Sequence, residues 1–415
     1  MNKYFPIKTE TACQLKWTWS TVYLYNGTTN SCHRVGKTDF DVDDFKSFHN
    51  TPKKIADREL MLDGQWPAGG CEYCRKIEDA GGSSDRMLHL QIPDLTPPEL
   101  DHDPHAVTVT PRIVEVYFDN VCNMSCIYCS DVFSSKIQHE NKKFGRFEKN
   151  GLVIDNYTTK HNRFSEITEK FWQWMDDNYS TIRRLHILGG EPFYQQQFDI
   201  CLDFLYNRVN ADLEFNIVSN LMIDPEKFKQ QIYRIKDLVS KRKIKRFDLT
   251  ASIDCWGAEQ EYIRHGLDLE QWRKNFEFLV SERWITLNVN QTLSALSIPS
   301  TVELIKYVNQ QRQTRKIGQY FMTVTEPSYL NPDIFGRNYF AQHFDAILSA
   351  MPTGDWSLEE AKKYMAGIKS QVTSADKNLN EIVKLRTYLD ELDRRRNQSW
   401  RTTFPWLTEV LDNVV

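Results

Sequence analysis

The feature that most constrains the fold is an alternation of short apolar segments with longer amphipathic ones, which begins near Pro111 and ends near Glu326. The apolar segments have the length and composition of strands. In chain order they are RIVEVYFDN, IRRLHILGG, LEFNIVSN, FDLTASID, ITLNVNQTL and QYFMTVTE. Strands that alternate with helices predict a parallel sheet in an α/β fold, curled into a partial or complete barrel or left open as a doubly wound sheet. In each case, ligands are expected at the carboxyl ends of the strands.

The rest of the chain differs from this region and suggests a division into domains. Residues 1–92 are irregular and rich in cysteine and turns, and the proline-rich residues 93–110 predict an extended linker. Residues 111–334 hold the alternating pattern, and residues 335–415 read as a helical extension. Within that extension, the run Arg394–Arg396 is interpreted as a solvated helix face.

The composition limits where in the cell the protein is expected and which classes of partner it is expected to bind. The formal net charge is −4 and the pI is about 6.2, so no overall positive field predicts bulk binding to nucleic acid. The first residues lack the apolar core of a signal peptide, and no apolar run is long enough to span a membrane. We therefore expect a cytoplasmic protein without a membrane partner, in which thiols stay reduced.

Three of the nine cysteines stand in one short segment, CNMSCIYC, directly after the first strand of the alternating region. Cys122, Cys126 and Cys129 have the spacing Cys-x3-Cys-x2-Cys. A zinc site completed by a remote histidine and a set of buried structural thiols are two interpretations of this triplet. The third is a four-iron cluster in which three irons have cysteine ligands and the fourth is open to an exogenous molecule.

The triplet resembles the signature of the radical SAM (S-adenosylmethionine) superfamily, with the aromatic Tyr128 before the last cysteine. A second landmark of that family, Gly-Gly-Glu after the second strand, matches Gly189, Gly190 and Glu191 in HILGGEPF. The resemblance covers about residues 107–330. It implies a partial (β/α)6 TIM-like barrel, a [4Fe–4S] cluster and a 5′-deoxyadenosyl radical that takes hydrogen from an unactivated carbon.

The resemblance also implies roles for single residues. Cys122, Cys126 and Cys129 would ligate the cluster, and the Tyr128 backbone would touch adenine. Gly189, Gly190 and Glu191 would face the amine of S-adenosylmethionine. Polar contacts to its ribose and carboxylate are expected from Ser219, Ser252, Asp254 and, in EYIRHG, Arg264. Ser252 and Asp254 are also typical of helix caps, and Arg264 could pair at the surface.

Four more cysteines lie upstream, at Cys13, Cys32, Cys71 and Cys74. The spacing Cys-x13-Gly-x4-Cys, with a hairpin turn predicted at Asn26-Gly27, resembles the start of the SPASM and twitch elements of radical SAM enzymes. This implies a fully ligated auxiliary [4Fe–4S] cluster. Zinc is an alternative, because Cys-x2-Cys pairs commonly bind it. In the family these elements usually follow the barrel, whereas here the cysteines precede it.

The remaining cysteines and the substrate are less constrained. Cys201 lies on the apolar face of a predicted helix and is expected in the core. Cys255 is either a buried thiol or a hydrogen donor to a substrate radical.

By resemblance, the leading hypothesis is an enzyme that modifies a peptide or protein, receives electrons from a flavodoxin or ferredoxin-type donor and works with a separate leader-binding partner. Alternatives are a small-molecule or nucleoside substrate, or a non-catalytic electron carrier or zinc module.

Overall fold

The computed structural model describes residues 4–79, 81–82, 84–155 and 158–412. Its strands coincide with the six apolar segments of the sequence, with a hairpin near the amino terminus, and with an antiparallel pair that was not predicted, Phe147–Lys149 and Leu152–Ile154. They are β1 (Trp19–Tyr23), β2 (Thr28–Asn30), β3 (Thr38–Asp39), β4 (Ile113–Tyr117), β5 (Phe147–Lys149), β6 (Leu152–Ile154), β7 (Arg184–Leu188), β8 (Glu214–Ser219), β9 (Arg246–Ser252), β10 (Thr286–Leu293) and β11 (Gly318–Thr323).

Helices connect these strands and occupy the residues that follow β11. They are α1 (Gln14–Thr18), α2 (Pro52–Leu62), α3 (Glu72–Asp79), α4 (Asp85–His89), α5 (Glu99–His102), α6 (Ser135–Phe144), α7 (Phe164–Asn178), α8 (Gln196–Tyr206), α9 (Pro225–Ser240), α10 (Ala258–Ile263), α11 (Leu269–Ser281), α12 (Ile298–Arg312), α13 (Ala341–Ala350), α14 (Trp356–Ser374), α15 (Leu379–Arg396), α16 (Trp400–Thr403) and α17 (Pro405–Asp412). Short 3-10 helices span Phe45–His49, Pro192–Tyr194, Ser328–Leu330 and Pro332–Phe335.

The chain divides into two compact units, which are described separately. The first unit comprises Met1–Asp119, Thr159–Ile217 and Ile235–Phe247. The second unit comprises Asn120–Thr158, Val218–Arg234 and Asp248–Val415. The domain boundaries that the sequence suggests remain predictions.

The sheet of the first unit has the strand order β8-β7-β4-β1-β2-β3. Strands β4, β7 and β8 are parallel, with Ile113 opposite Arg184 and Arg184 opposite Glu214. Helix α7 connects β4 to β7, and α8 connects β7 to β8, because parallel neighbours require a crossover. The α/β class with a parallel sheet is therefore confirmed, whereas curvature into a partial barrel stays a prediction.

The amino-terminal residues extend this same sheet. Strand β1 is parallel to β4 and antiparallel to β2. The predicted hairpin turn is present, with Gly27 at φ +73° and its N–H donating to the Tyr23 carbonyl at 2.9 Å. The predicted extended linker is partly helical at α5, and its Leu95, Leu100 and Val109 are buried in the core that also includes Cys13. Burial of these apolar side chains explains why the stretch packs instead of remaining extended.

In the second unit, β9, β10 and β11 are consecutive parallel strands. Helices α10 and α11 connect β9 to β10, and α12 connects β10 to β11. Helices α13 to α17 follow the last strand, and their buried residues join one apolar core with Leu293, Phe321 and Cys255. This unit also contains the segment that carries the first cysteine motif.

The solvated-face interpretation of Arg394–Arg396 is wrong for two of the three arginines. The side chain of Arg394 is 58% exposed, whereas those of Arg395 and Arg396 are 1% and 3% exposed. Successive helix residues point about 100° apart, so adjacent arginines meet different surroundings. Arg395 and Arg396 point toward α6, where Arg395 donates to Asn141 and Arg396 pairs with Glu140, and Arg395 also pairs with Glu391 of its own helix.

Candidate metal centres

Residues 122–129, the three-cysteine loop, are held in place by backbone hydrogen bonds within the second unit. Ser125 N–H donates to the His265 carbonyl and Ile127 N–H to the Ile263 carbonyl, each at 2.9 Å. The Cys122 N–H donates to Ser135 Oγ at 3.2 Å. These bonds fix the path of the loop between its cysteines, and all three cysteines are partly exposed.

The pKa values of two thiols in this loop depend on burial and on nearby charged groups. Burial raises the pKa of Cys129, and the nearby Cys126 and Cys122 raise it further. Burial also raises the pKa of Cys126, against which Arg264 and, more weakly, Arg396 act. The raised pKa values favour the protonated forms of Cys126 and Cys129, so metal binding there would release protons.

Three of the predicted cofactor residues form one buried network beside the loop. Arg264 donates from Nε and Nη2 to the two carboxylate oxygens of Asp254, each at 2.9 Å. The Tyr128 hydroxyl donates to Asp254 Oδ2 at 2.7 Å, and Thr292 N–H donates to Oδ1 at 2.9 Å. Burial alone would lower the pKa of Arg264, but Asp254 holds it well above its ordinary value. The structure therefore brings Tyr128, Asp254 and Arg264 together as a charge pair with a hydrogen-bonded phenol.

The two predicted serines lie at strand ends in the second unit. Ser219 ends β8, and its Oγ accepts a hydrogen bond from Leu221 N–H at 3.0 Å. That bond stabilises a turn in which Leu221 has the left-handed φ of +58°. Ser252 ends β9, is buried, and lies opposite Asn290 of β10. These positions agree with the expected strand ends, and the cofactor contacts remain untested.

The Gly-Gly-Glu segment ends β7 in the first unit. Gly189 and Gly190 have φ values of +80° and +57°, and a side chain on Gly189 would collide with the ring of Tyr117. Gln195 Nε2 donates to the Gly189 carbonyl at 2.6 Å. Glu191 is buried, and its Oε1 accepts from Phe193 N–H at 3.4 Å. The turn thus requires glycine at its first position, and its contact with a cofactor remains a prediction.

The four upstream cysteines all line one cavity of the first unit, which we call the four-cysteine cavity. Its empty volume is about 340 Å³, part of it open to solvent. Three elements supply the cysteines. Cys13 precedes α1, Cys32 follows β2, and Cys71 and Cys74 flank the start of α3. The structure thus brings the four predicted cysteines to one cavity, and their binding of a cluster or metal stays a prediction.

A close approach of two backbones, which was not predicted, shapes this cavity. Gly70 has φ +130°, and a Cβ there would overlap the carbonyl of Arg34. The backbone that leads into Cys71 therefore lies directly against the backbone that follows Cys32. Sequence reasoning missed this contact, although Gly69-Gly70 next to a cysteine is a local signal for close packing.

Basic side chains also line the cavity. Lys16, Arg34 and Arg86 contribute to its wall, and Lys16 pairs with Asp57 at 2.6 Å. Burial raises the pKa of Cys13 to about 12 and that of Cys71 to about 11, although Lys16 lowers both. Positive charge beside four thiols suits a metal or cluster that is bound by thiolates.

The donor sets thus fit soft metals in both places, but their side chains are not preassembled. Within residues 4–79, 81–82, 84–155 and 158–412, no group of three or more His, Cys, Asp or Glu side chains has metal-binding geometry.

The two remaining cysteines are fully buried. Cys201 lies on the inner face of α8, as predicted. Cys255 belongs to the apolar core of the second unit, which agrees with the buried-thiol interpretation, and burial raises its pKa well above the ordinary value.

Sequence reasoning also missed a polar cluster in the first unit. Glu115 on β4 is buried, with His33 Nε2 at 3.4 Å from one oxygen and His186 Nδ1 at 3.8 Å from the other. Thr21 Oγ1 donates to Glu115 at 3.0 Å. Burial would raise the pKa of Glu115, but His186 and His33 hold it at about 2. The sequence signal that could have revealed this cluster is a glutamate in the middle of an apolar strand segment.

Among the described helices, none combines the length and apolarity that crossing a bilayer requires.

Comparison with known proteins gives weak similarities. No protein-family model and no curated protein matches the chain. A structure of native anSMEcpe with bound AdoMet and a Kp18Cys peptide is similar at 13% identity and a TM-score of 0.31, over 57% of this chain and 57% of that chain. A structure of TYW1 with a lysine-pyruvate adduct bound is similar at 14% identity and a TM-score of 0.27, over 55% of this chain and 68% of that chain. TM-scores this low establish neither a common fold nor a common activity.

Proposed function

We propose that this chain is a radical SAM enzyme whose catalytic cluster is bound by Cys122, Cys126 and Cys129. The observation that carries the proposal is the three-cysteine loop, in which mutually interacting thiols directly follow a parallel strand. Thiolates are the usual ligands of iron–sulfur clusters, and three of them leave one iron of a four-iron cluster open. When bound, such a cluster would supply the electron that cleaves S-adenosylmethionine to methionine and the 5′-deoxyadenosyl radical.

Further residues of this chain would bind and orient the cofactor. We assign its amine to Gly189, Gly190 and Glu191, and its ribose and carboxylate to Ser219 and Ser252. The Tyr128 backbone would touch adenine. Arg264 uses two of its five N–H groups on Asp254, so it would reach the cofactor carboxylate through the other N–H groups, on Nη1 and Nη2. The Asp254–Arg264 pair would mainly position Tyr128 and the loop.

We further propose that the four-cysteine cavity binds an auxiliary [4Fe–4S] cluster through Cys13, Cys32, Cys71 and Cys74. The shared cavity and the adjacent Lys16 support this assignment. Four thiolates close the coordination of a cluster, so its role would be electron relay, substrate positioning or stabilisation of the amino-terminal residues. Zinc is the competing occupant, because it also accepts four cysteines.

The proposed substrate is a peptide or protein, since auxiliary-cluster members of the family often modify such substrates. A small molecule or nucleoside is the second candidate. A flavodoxin or ferredoxin-type protein would donate electrons, and a separate partner would bind a leader peptide. A cytoplasmic location follows from the need to keep the cysteines reduced. An electron carrier or zinc module without catalysis is the alternative outside enzymes.

Anaerobic reconstitution with iron and sulfide tests both centres. Wild-type protein should bind about eight irons, as two four-iron clusters require, and should release 5′-deoxyadenosine when given dithionite and S-adenosylmethionine. Cys126→Ala should lose the release, because one cluster ligand is missing. Cys201→Ala, which removes a thiol from the core, should retain it.

Three results would contradict these assignments. Full release of 5′-deoxyadenosine from Cys126→Ala, or no release from reconstituted wild type, would overturn the proposal that this chain is a radical SAM enzyme. About four irons with one zinc would leave the enzyme intact and replace the auxiliary cluster by a zinc site. Mass spectrometry of peptides incubated with the active protein would then test the substrate class.

A further inference from the structure

Two neighbouring arginines at the end of α15 are buried and only partly paired. Arg395 donates from Nε to Glu391 Oε1 at 2.6 Å and from Nη1 to Asn141 Oδ1 at 3.2 Å. Arg396 donates from Nε and Nη2 to Glu140, at 2.9 Å and 3.3 Å. Arg395 Nη2 and Arg396 Nη1 are buried without a hydrogen-bond partner.

Unpaired nitrogens on two adjacent buried cations are unusual. Buried donors are nearly always satisfied, and leaving one unsatisfied on a charged group is especially unfavourable. Each arginine already has one carboxylate, and yet each keeps a free N–H group inside the protein. This arrangement indicates that a further negatively charged group belongs beside them.

The three-cysteine loop is the neighbouring element that would carry such a charge. Helix α15 is joined to it by the Tyr388 hydroxyl, which donates to the Ile127 carbonyl at 2.6 Å. Just beyond the end of α15, Gln398 Oε1 lies 3.1 Å from His265 Nδ1, and the His265 carbonyl accepts a hydrogen bond from Ser125 N–H of the loop at 2.9 Å. Because Ser125 directly precedes Cys126, the end of α15 that carries Arg395 and Arg396 lies near the cysteines of this loop.

We propose that the buried positive charges of Arg396 and of the neighbouring Arg395 lie beside the cluster of the three-cysteine loop. Their charge would raise the reduction potential of that cluster. The inference rests on the proposed function. Uptake of one electron makes a cluster one unit more negative, so a fixed cation nearby stabilises the reduced form more than the oxidised form. Arg396 would thus be a positioning and tuning residue beside the three-cysteine loop.

The test compares Arg396→Met with Arg394→Met in the full-length reconstituted protein. Arg394 lies on the same helix and pairs with Glu391 at 2.7 Å, but its side chain is exposed. A redox titration with dithionite, followed by electron paramagnetic resonance, gives the midpoint potential of each cluster. Only the signal that changes when S-adenosylmethionine is added is analysed, because the auxiliary cluster has no open iron.

Arg396→Met should shift this midpoint to more negative potentials, and Arg394→Met should leave it unchanged. Arg396→Lys keeps the charge and should recover most of the wild-type value. Glu140→Gln removes the paired negative charge and should shift the midpoint in the opposite direction. Shifts of opposite sign are not expected from a residue that acts only on folding.

A wild-type midpoint in fully loaded Arg396→Met would overturn the inference while leaving the proposed function intact. If Arg396→Met does not load iron, Glu140→Gln decides, and an unshifted midpoint there contradicts the proposal. Absence of any S-adenosylmethionine-sensitive signal in the loaded wild type would refute the proposed function, and this inference with it.

Discussion

At the scale of single residues, Gly70 determines how closely two cysteine-bearing segments approach. Its φ is +130°, and an added Cβ would overlap the Arg34 backbone. Gly70→Ala should therefore reduce the free energy of unfolding by about 2–4 kcal/mol, through backbone strain and overpacking. The added methyl group should also push Cys32 and Cys71 apart and so lower the metal occupancy of the four-cysteine cavity. Chemical denaturation and metal analysis measure the two effects.

Gly69→Ala is the matched control, because Gly69 also has a positive φ, +86°, but has open space around its Cβ position. It should cost only the strain of about 1–2 kcal/mol and keep full metal occupancy. Equal metal loss in both variants would mean that backbone strain, and not the close approach, controls the cavity.

The sequence predicted the four cysteines as a set, but it could not predict this contact, because Arg34 and Gly70 are distant in the chain.

At the scale of elements, α15 supports the three-cysteine loop through one buried hydrogen bond. Tyr388→Phe removes the hydroxyl that donates to the Ile127 carbonyl at 2.6 Å and leaves that carbonyl unsatisfied. We expect a loss of about 1–3 kcal/mol in unfolding free energy and slower or incomplete loading of the loop's cluster. Tyr364→Phe on α14, where the side chain is exposed, should change neither. Normal iron content and stability in Tyr388→Phe would show that the loop holds its conformation without α15.

The same elements show what a sequence can and cannot predict. The strands of the parallel sheet were predictable, because short β-rich segments separated by amphipathic helices have one common solution. The cysteine loop and the Gly-Gly-Glu segment were singled out by spacing and resemblance, and their cofactor roles stay predictions. The burial of Arg395 was not, because its partner Asn141 lies 254 residues away. A helix-face pattern reports that one side is polar, and it does not reveal which charged residues another element will cover.

At the scale of the whole molecule, the first unit contains two histidines that burial keeps neutral. Burial, assisted by Arg184, lowers the pKa of His89 to about 4. Burial, assisted by Arg58 and Lys54, lowers the pKa of His49 well below its ordinary value. Below about pH 6.5 the unfolded chain binds protons on these residues that the folded unit does not bind. Stability should therefore decrease as the pH falls from about 6.5 toward 4.

His89→Gln tests this acid sensitivity, because glutamine cannot take up a proton in the unfolded chain. The wild type should lose up to about 3 kcal/mol of unfolding free energy through His89 between about pH 6.5 and pH 4, and His89→Gln should lose less over the same range. His105→Gln, at an exposed position, should follow the wild-type curve. Urea denaturation of the metal-free protein at a series of pH values gives these curves. Parallel curves for wild type and His89→Gln would mean that His89 keeps an ordinary pKa in the folded unit, and that acid acts on the protein through other groups.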